Sequence, residues 1–352
     1  MAREPLSFQK SELSPPSVVS NEEMKPGPSE MRDGFGRRVD YLRISVTDRC
    51  NERCLYCMPE GYKGWSQRPD HLSAGEIVRV VRASLGLGFR KFRLTGGEPL
   101  LRADVIEIAQ GIAELPGVES LGLSTNGTRL ESLAGDLRRA GVDSLNVSLD
   151  SLDPVIYRKI TGGSVESVLV GLEAAKSEGF ASIKLNCVLM RGINEDSYLP
   201  LVQFAAEQGF PLRFIDLMPL SRRDVLDESN FLSVGELMDR LQVHGELVPL
   251  PGHRSGHGPA QYFEFRPLSA IIGFIGAITT PGFCESCNKV RLTADGKLRP
   301  CLGNHGEIDF LGDLRSGIDP TDALRAAVAN KPETHEFNEG YAPIRPMTAI
   351  GG

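Results

Sequence analysis

The sequence predicts an α/β protein: an incomplete (β/α)6 TIM-like barrel over residues 39–225, preceded by a disordered tail over 1–38 and followed by a smaller C-terminal α+β domain over 226–352. Three observations carry that reading. Short β-type runs alternate with longer helical runs six times, which implies a parallel sheet with right-handed crossovers. Six units are too few for a closed eight-fold barrel, so the barrel is partial. The residues most suggestive of chemistry fall where a strand ends and a loop begins, the functional edge of such barrels.

In chain order, "YLRISVT" precedes a helix near 73 to 86, "KFRLTGG" a helix near 103 to 113, and "SLGLSTNG" a helix near 130 to 140. "SLNVSLD" precedes a helix near 165 to 178, "SIKLNCVLM" a helix near 197 to 208, and "LRFIDLMP" closes the series. After about residue 225 the rhythm breaks. "PGHRSGHGPAQ" reads as a loop, "QYFEFR" and "AIIGFIGAIT" as strands, and "KVRLTADGKLRP" as a hairpin about its "ADG" turn, before a helix near 320 to 330.

Composition excludes several classes. The 352 residues are 41% hydrophobic and 24% charged, enough to bury at least one large core. A net charge of -7 is the reverse of the basic footprint expected for gripping nucleic acid. A small anion remains a possible ligand where arginines gather locally. No apolar run reaches the length of a membrane span and no signal pattern opens the chain, so a cytoplasmic protein with no membrane partner is expected. Residues 1–38 are rich in Ser, Pro, Glu and Lys and poor in aromatics, a disorder composition.

Seven cysteines are present. Cys187 lies in a strand-like run and reads as a small core residue. The others form two triplets: Cys50, Cys54 and Cys57, then Cys284, Cys287 and Cys301. In a reducing compartment such groups are metal ligands rather than disulfides. Three thiolates can hold an iron-sulfur cluster with one iron left open for a ligand. The alternative is structural zinc, closed by a distant His71 for the first triplet or by His305, four positions after Cys301, for the second.

The spacing C-x3-C-x2-C directly after a strand, with Tyr56 between the last two thiols and "TGGEP" ending the next strand, resembles the radical S-adenosylmethionine superfamily. From about residue 40 onward the chain resembles the GTP 3',8-cyclase family of molybdenum cofactor biosynthesis. The resemblance rests on "LRISVTDRCNERCLYCMP", "RLTGGEPLLR", "LSTNG", "NVSLDSL", "KLNCVLMRGIN", "RFIDLMP", the second triplet and the terminal Gly351 and Gly352.

That resemblance implies a cofactor set of two 4Fe-4S clusters and S-adenosyl-L-methionine. Cys50, Cys54 and Cys57 would hold the radical-generating cluster, with Tyr56, Gly97, Ser148 and Met218 lining the S-adenosylmethionine site. Cys284, Cys287 and Cys301 would hold a second cluster, in the C-terminal domain, whose open iron binds guanine. The GTP triphosphate would meet Arg43, Arg93, Lys184, Arg213, Lys289 and Arg291, with Ser124 nearby. Taken singly, each cation also reads as a surface charge with its stem packed on the sheet.

The implied reaction is that of a lyase: a 5'-deoxyadenosyl radical removes hydrogen from ribose C3', C3' attacks C8, and (8S)-3',8-cyclo-7,8-dihydroguanosine 5'-triphosphate results. It further implies an electron donor of unknown identity, a downstream cyclic pyranopterin monophosphate synthase and a homodimer. Lys289 stands where the family pattern has arginine, and Ser124 where it has threonine. The resemblance implies that the glycine tail reaches into the active site, where a backbone without side chains fits a crowded pocket; the alternative is a frayed terminus. Other readings are a two-cluster radical enzyme acting on peptides, disfavoured by having only three C-terminal-domain cysteines, and a zinc-stabilised binding protein.

Overall fold

The computed structural model describes residues 30–58, 71–220, 227–253 and 258–351. Residues 1–29 of the expected tail, Gly352, the boundary near 225 and part of the "PGHRSGHGPAQ" loop lie outside the described residues. Residues 30–38, expected to end the disordered tail, are instead folded. The Asp33 carboxylate accepts from the backbone of Phe35 and Arg37 and pairs with Arg37 Nε at 2.5 Å. Arg37 then donates to the carbonyls of Cys284, Pro332 and Glu333. These long-range bonds to backbone carbonyls help order a stretch whose composition alone does not.

The barrel series is β1 (Tyr41–Ser45), α1 (Ala74–Gly86), β2 (Lys91–Thr95), α2 (Val105–Ala113), β3 (Ser120–Thr125), α3 (Leu130–Arg139), β4 (Ser144–Ser148), α4 (Pro154–Thr161), α5 (Val165–Ser177), β5 (Ser182–Val188), α6 (Tyr198–Gln208) and β6 (Leu212–Ile215). Strands β1 to β6 pair in parallel with their sequence neighbours, as the alternating pattern predicts. Helix α4 is additional to the expected set. Asp153 caps the amides of Val155 and Ile156, Pro154 opens the helix, and Gly162 ends it at φ 71°.

The remainder is α7 (Val234–Gln242), β7 (Glu246–Pro249), β8 (Gln261–Arg266), β9 (Ala270–Ile275), β10 (Lys289–Leu292), β11 (Lys297–Arg299), β12 (Ile308–Asp309), α8 (Leu311–Arg315), α9 (Thr321–Ala329) and α10 (Met347–Ile350). Its strands join the barrel sheet at both edges. β10 lies parallel to β1 and β9 parallel to β6, giving one sheet in the order β12-β11-β10-β1-β2-β3-β4-β5-β6-β9-β8-β7. The smaller C-terminal segment thus flanks the partial barrel on two sides. No helix among the described residues is long and apolar enough to cross a membrane.

The strands sort side chains by period two. Leu42, Ile44, Phe92, Leu94, Leu121, Leu123, Leu145, Val147, Leu212 and Phe214 belong to the main core with apolar residues of the helices, and Cys187 is buried there as expected. Each such burial contributes about 1.5–3 kcal/mol. The alternate positions, including Tyr41, Arg43, Arg93, Ser124, Asn146, Lys184, Asn186 and Arg213, form the opposite, polar face. Ordinary barrels fill this space with Val, Ile and Leu; here it is built for water or a polar ligand.

Helices α3 and α5 pack through Gly171. A Cβ there would stand 2.4 Å from the Gly127 carbonyl oxygen, a backbone atom with no room to turn aside. Gly171→Ala should therefore lower stability by about 1–3 kcal/mol, read as a lower urea midpoint. Gly75→Ala in α1, where an added Cβ meets nothing within 4 Å, should leave the midpoint unchanged or raised.

Candidate active site

The first thiol triplet lies on the loop after β1, and its shape is set from two sides. On one side, Gly97 N donates to Thr47 O at 2.8 Å and Glu98 N to Arg49 O at 2.6 Å. A Cβ on Gly96 would fall 2.4 Å from Thr47 O, and one on Gly97 would fall 2.2 Å from Arg49 O. Gly96, at φ 152°, and Gly97 therefore let the second strand end lie directly on the thiol loop. On the other side, Arg53 N donates to Thr161 O and Leu55 N to Ile160 O, fastening the loop to the end of α4.

Side chains complete this clamp. Tyr157 donates to the Glu52 carboxylate at 2.9 Å, and Tyr56 donates to Asp150 Oδ2 at 2.7 Å. Asp150 Oδ1 accepts from Val188 N at 2.8 Å. Glu98 accepts from Thr125 Oγ1, Asn126 N and Leu100 N. Burial pushes Glu52 and Glu98 up to about 7 and Asp150 up to about 6. It also pushes Cys50 and Cys57 up to about 12 and Cys54 well above the usual thiol range. Such thiols give up their protons to a strongly cationic partner, as metal coordination provides.

The second triplet is assembled from the loop before β10 and the residue that follows Pro300 after β11. Each sulfur faces a backbone N–H: Cys284 that of His335, Cys287 that of Lys289, and Cys301 that of Gly303. Burial raises Cys284 and Cys301. Burial acts on Cys287 too, but Lys331 and Lys289 outweigh it and lower its pKa. A cavity of about 610 Å³ lies beside Cys284, lined by Phe35, Arg37, Phe283 and His335 among others.

Both triplets fit a cubane cluster better than one zinc ion. Among the described residues no three His, Cys, Asp or Glu side chains are placed to share a single ion. A cubane takes each thiolate on a different iron, so its ligands surround a space instead of meeting at a point. The weighed zinc ligands are engaged elsewhere. His305 stacks on Tyr341 with centroids 4.7 Å apart, and His71 lies 3.3 Å from Asp48.

The cationic residues occupy the polar strand face. Arg43 is the register partner of both Arg93 and Arg291, while Lys184 pairs with Asn146, and Arg213 with Asn186. Burial first, then neighbouring positive charge, lowers Arg43 to about 9, Arg291 to about 10 and Lys184 to about 7. Burial lowers Arg213 and Lys289 as well. Among the described residues, none of Arg93, Lys184, Arg213, Lys289 and Arg291 has an acidic partner within ion-pair distance. Arg213 Nε and the side-chain oxygens of Asn146 and Asn186 are buried without hydrogen-bond partners.

Arg93 differs from the rest. It donates to Tyr41 Oη at 2.7 Å, to Leu123 O at 2.9 Å and to Ser144 Oγ at 3.2 Å, lying over Gly122, where a Cβ would be 2.3 Å from its guanidinium. It braces the wall more than it faces a ligand. Lys289 sits 5.6 Å from the Tyr41 ring centroid and donates to Asn288 Oδ1. Ser124 and Ser148 are half-buried on the same strand face, and Ser124 Oγ lies 3.5 Å from Asn146 Nδ2. Met218, past the end of β6, packs with Leu220, Phe337 and Tyr341 of the C-terminal side.

The C-terminal tail enters this space. Arg345 pairs with Asp295 at 2.6 Å and with Glu307 at 3.0 Å, anchoring the chain before α10. Thr348 N faces the Cys57 sulfur, and the Gly351 carbonyl accepts from Arg291. At Gly351, φ is 86° and a Cβ would press on Thr95 and Ser45 at 2.9 and 3.0 Å, so glycine is required.

Fold and site together define a radical S-adenosylmethionine protein. The Radical SAM superfamily profile matches residues 44–205, and the Molybdenum Cofactor Synthesis C profile matches 210–337. Two structures of Streptococcus suis SuiB share the fold, at TM-scores of 0.58 and 0.54 with 14% identity; the first covers 82% of this chain and 67% of that one, the second 82% and 68%. The GTP 3',8-cyclase of Thermodesulfovibrio yellowstonii is 40% identical over 329 residues, covering 92% of this chain and 100% of that protein. That of Pseudomonas entomophila is 42% identical over 343 residues, covering 94% and 100%. The chain belongs to the GTP 3',8-cyclase family.

Sequence reasoning left several site residues unassigned. Glu98, Asn126 and Asp150 stand inside the quoted strand-end motifs, so their position was signalled but their roles were not. Asn126 is held by Glu98 and Asn51, with its amide 4.0 Å from Cys50 Sγ. Tyr157, Arg345 and Lys331 carry no local signal.

Gly97→Ala should push the thiol loop off the second strand. The expected outcome is loss of roughly half of the iron bound after anaerobic reconstitution, about one cubane of two, measured by iron and sulfide analysis with the folded circular-dichroism spectrum retained.

Proposed function

We propose that this chain converts GTP to (8S)-3',8-cyclo-7,8-dihydroguanosine 5'-triphosphate, the first step of molybdenum cofactor biosynthesis. The observation that carries the substrate is the wall of buried, like-charged side chains between two thiol triplets, in which Lys184, Arg213, Lys289 and Arg291 have no acidic partner within ion-pair distance among the described residues. Burying several unbalanced cations is costly, and a polyanion bound among them removes that cost.

Two 4Fe-4S clusters and S-adenosylmethionine, when bound, supply the one-electron chemistry that removes the ribose C3' hydrogen and lets C3' bond to C8 of guanine. Cys50, Cys54 and Cys57 hold one cluster, and Cys284, Cys287 and Cys301 the other. In this proposal Arg43, Lys184, Arg213, Lys289 and Arg291 take the triphosphate, the arginines through paired N–H donors and the lysines as point charges. Arg93 and Tyr41 hold the wall in register, with Ser124 beside it. Tyr56, Gly97, Ser148 and Met218 line the S-adenosylmethionine side, where Asp150 orients Tyr56. The Gly351 backbone, seated against Ser45 and Thr95 at the ends of β1 and β2, narrows the space and helps exclude water, which protects a reactive carbon centre from side reactions.

Residues 39–225 then form the unit that generates the radical and 226–352 the unit that orients the base. Further proposals rest on the family alone: an external one-electron donor, a cyclic pyranopterin monophosphate synthase that consumes the product, and assembly as a homodimer. Anaerobic reaction of the reconstituted protein with dithionite, S-adenosylmethionine and GTP tests the central reading. 5'-Deoxyadenosine together with a cyclised nucleotide supports it; deoxyadenosine alone would transfer the site to another substrate.

Cys284→Ala should retain S-adenosylmethionine cleavage while cyclisation is lost, both read by mass spectrometry. A second expectation concerns pH. Lys184, lowered to about 7 by burial and by Arg213 and Arg93, is cationic below that pH and must take up a proton on binding phosphate above it. Above about pH 7, GTP affinity should therefore fall relative to Lys184→Arg by up to roughly tenfold per pH unit. Titration of both proteins by calorimetry over about pH 6.5 to about pH 8.5 measures this, and the ionisation of GTP itself cancels in the ratio.

A further inference from the structure

Lys331 follows α9 and is only 4% exposed. Its ammonium has three acceptors: Cys287 Sγ at 3.6 Å, Lys289 O at 2.7 Å and Pro300 O at 3.0 Å. The set uses all three donors of an ammonium. It also joins the two arms of the second triplet, since Lys289 lies two residues past Cys287 and Pro300 directly precedes Cys301. Among the described residues no carboxylate pairs with it, so the sulfur is the one acceptor able to answer its charge as an anion.

We infer that Lys331 is a positioning residue for the second cluster, holding the Cys287 and Cys301 arms at cluster spacing and raising the cluster's reduction potential through its charge. The inference rests on the second triplet being a cluster site. A cluster with three thiolate ligands is anionic and becomes more so on reduction, so a buried cation against a ligand sulfur favours the reduced form. Hydrogen bonds to the sulfurs act in the same direction. Packing alone would be served by methionine; three converging acceptors, one of them a metal ligand, call for a charged donor.

The test uses the full-length chain with Cys50, Cys54 and Cys57 changed to alanine, reconstituted anaerobically so that only the second site holds iron. Its midpoint potential is read by dithionite titration with electron paramagnetic resonance, the electron passing from dithionite to the cluster. Lys331→Met and Lys331→Gln should both shift the midpoint negative, by at least tenfold in the reduction equilibrium, about 59 mV for a one-electron couple. Lys331→Arg should restore most of it. Failure of Lys331→Gln to load iron while Lys331→Arg loads normally would equally support a requirement for charge. A midpoint unchanged in Lys331→Met and Lys331→Gln would overturn the inference, as would equal loss of iron from all three variants, which marks a role in packing only. Absence of iron from the parent chain with lysine intact would overturn the second-cluster reading itself.

Discussion

The constraint on which this molecule turns is the burial of positive charge on the inner face of a sheet. Arg43, Arg93, Lys184, Arg213, Lys289 and Arg291 project from five strands; burial lowers the pKa of Arg43, Arg291 and Lys184, and repulsion from other wall cations adds to it at Arg43 and Lys184. A barrel lined in this way cannot fill itself with hydrocarbon. Its stability must come from the other face, where Leu42, Ile44, Phe92, Leu94, Leu121 and Leu123 meet the helices. Partial closure follows from the same requirement, because a nucleotide needs a way in. β10 and β9 extend the sheet past β1 and β6, bringing Lys289 and Arg291 into line with the barrel cations.

Rigid backbone contacts place the chemistry around that wall. The thiol loop is held between Gly96 and Gly97 on one side and the end of α4 on the other by backbone contacts, which side chains then complete. Gly96 and Gly97 are, in this fold, seats for the loop itself. The second triplet depends on longer contacts: Arg37 reaches the Cys284 carbonyl from the start of the described chain. Thr348, late in the described chain, faces Cys57, so each thiol triplet is also held by a segment far from it in sequence.

What was legible in the sequence was whatever repeats or sits at a strand end. The six parallel strands follow from two-residue alternation and the thiol loops from their spacing. Helix α4 went unread although Asp153, Pro154 and Gly162 mark both its ends, because the next helix had already satisfied the expected rhythm. α7 and β7 were lost in the stretch read as a change of domain. Residues 30–38 have the composition of a tail and are tied to distant segments by Arg37, about 250 positions from one of its partners, a closure whose entropic cost grows slowly with length. Lys331 was illegible for the same reason: its acceptors lie 31, 42 and 44 residues away. The mutual placement of Arg43, Arg93 and Arg291 required the register, which no local pattern specifies.

The wall also separates cations that build the site from cations that serve it. Arg93 has each of its nitrogens bonded to the protein, to a tyrosine, a carbonyl and a serine, so a bound phosphate would have to compete with contacts already made. Lys184, by contrast, has a single serine partner and a pKa depressed by burial, so in the proposed site an anion would find it uncommitted to other contacts. Lys289 falls between them: its stem and ammonium lie against Tyr41, whose hydroxyl is fixed by Arg93. A lysine in place of arginine gives up the bidentate fork but keeps a point charge on a flexible stem. In the proposed site the fork would come from Arg291, two residues along the same strand, and from Arg43, the register partner of Arg291 on β1, leaving the lysine to contribute field.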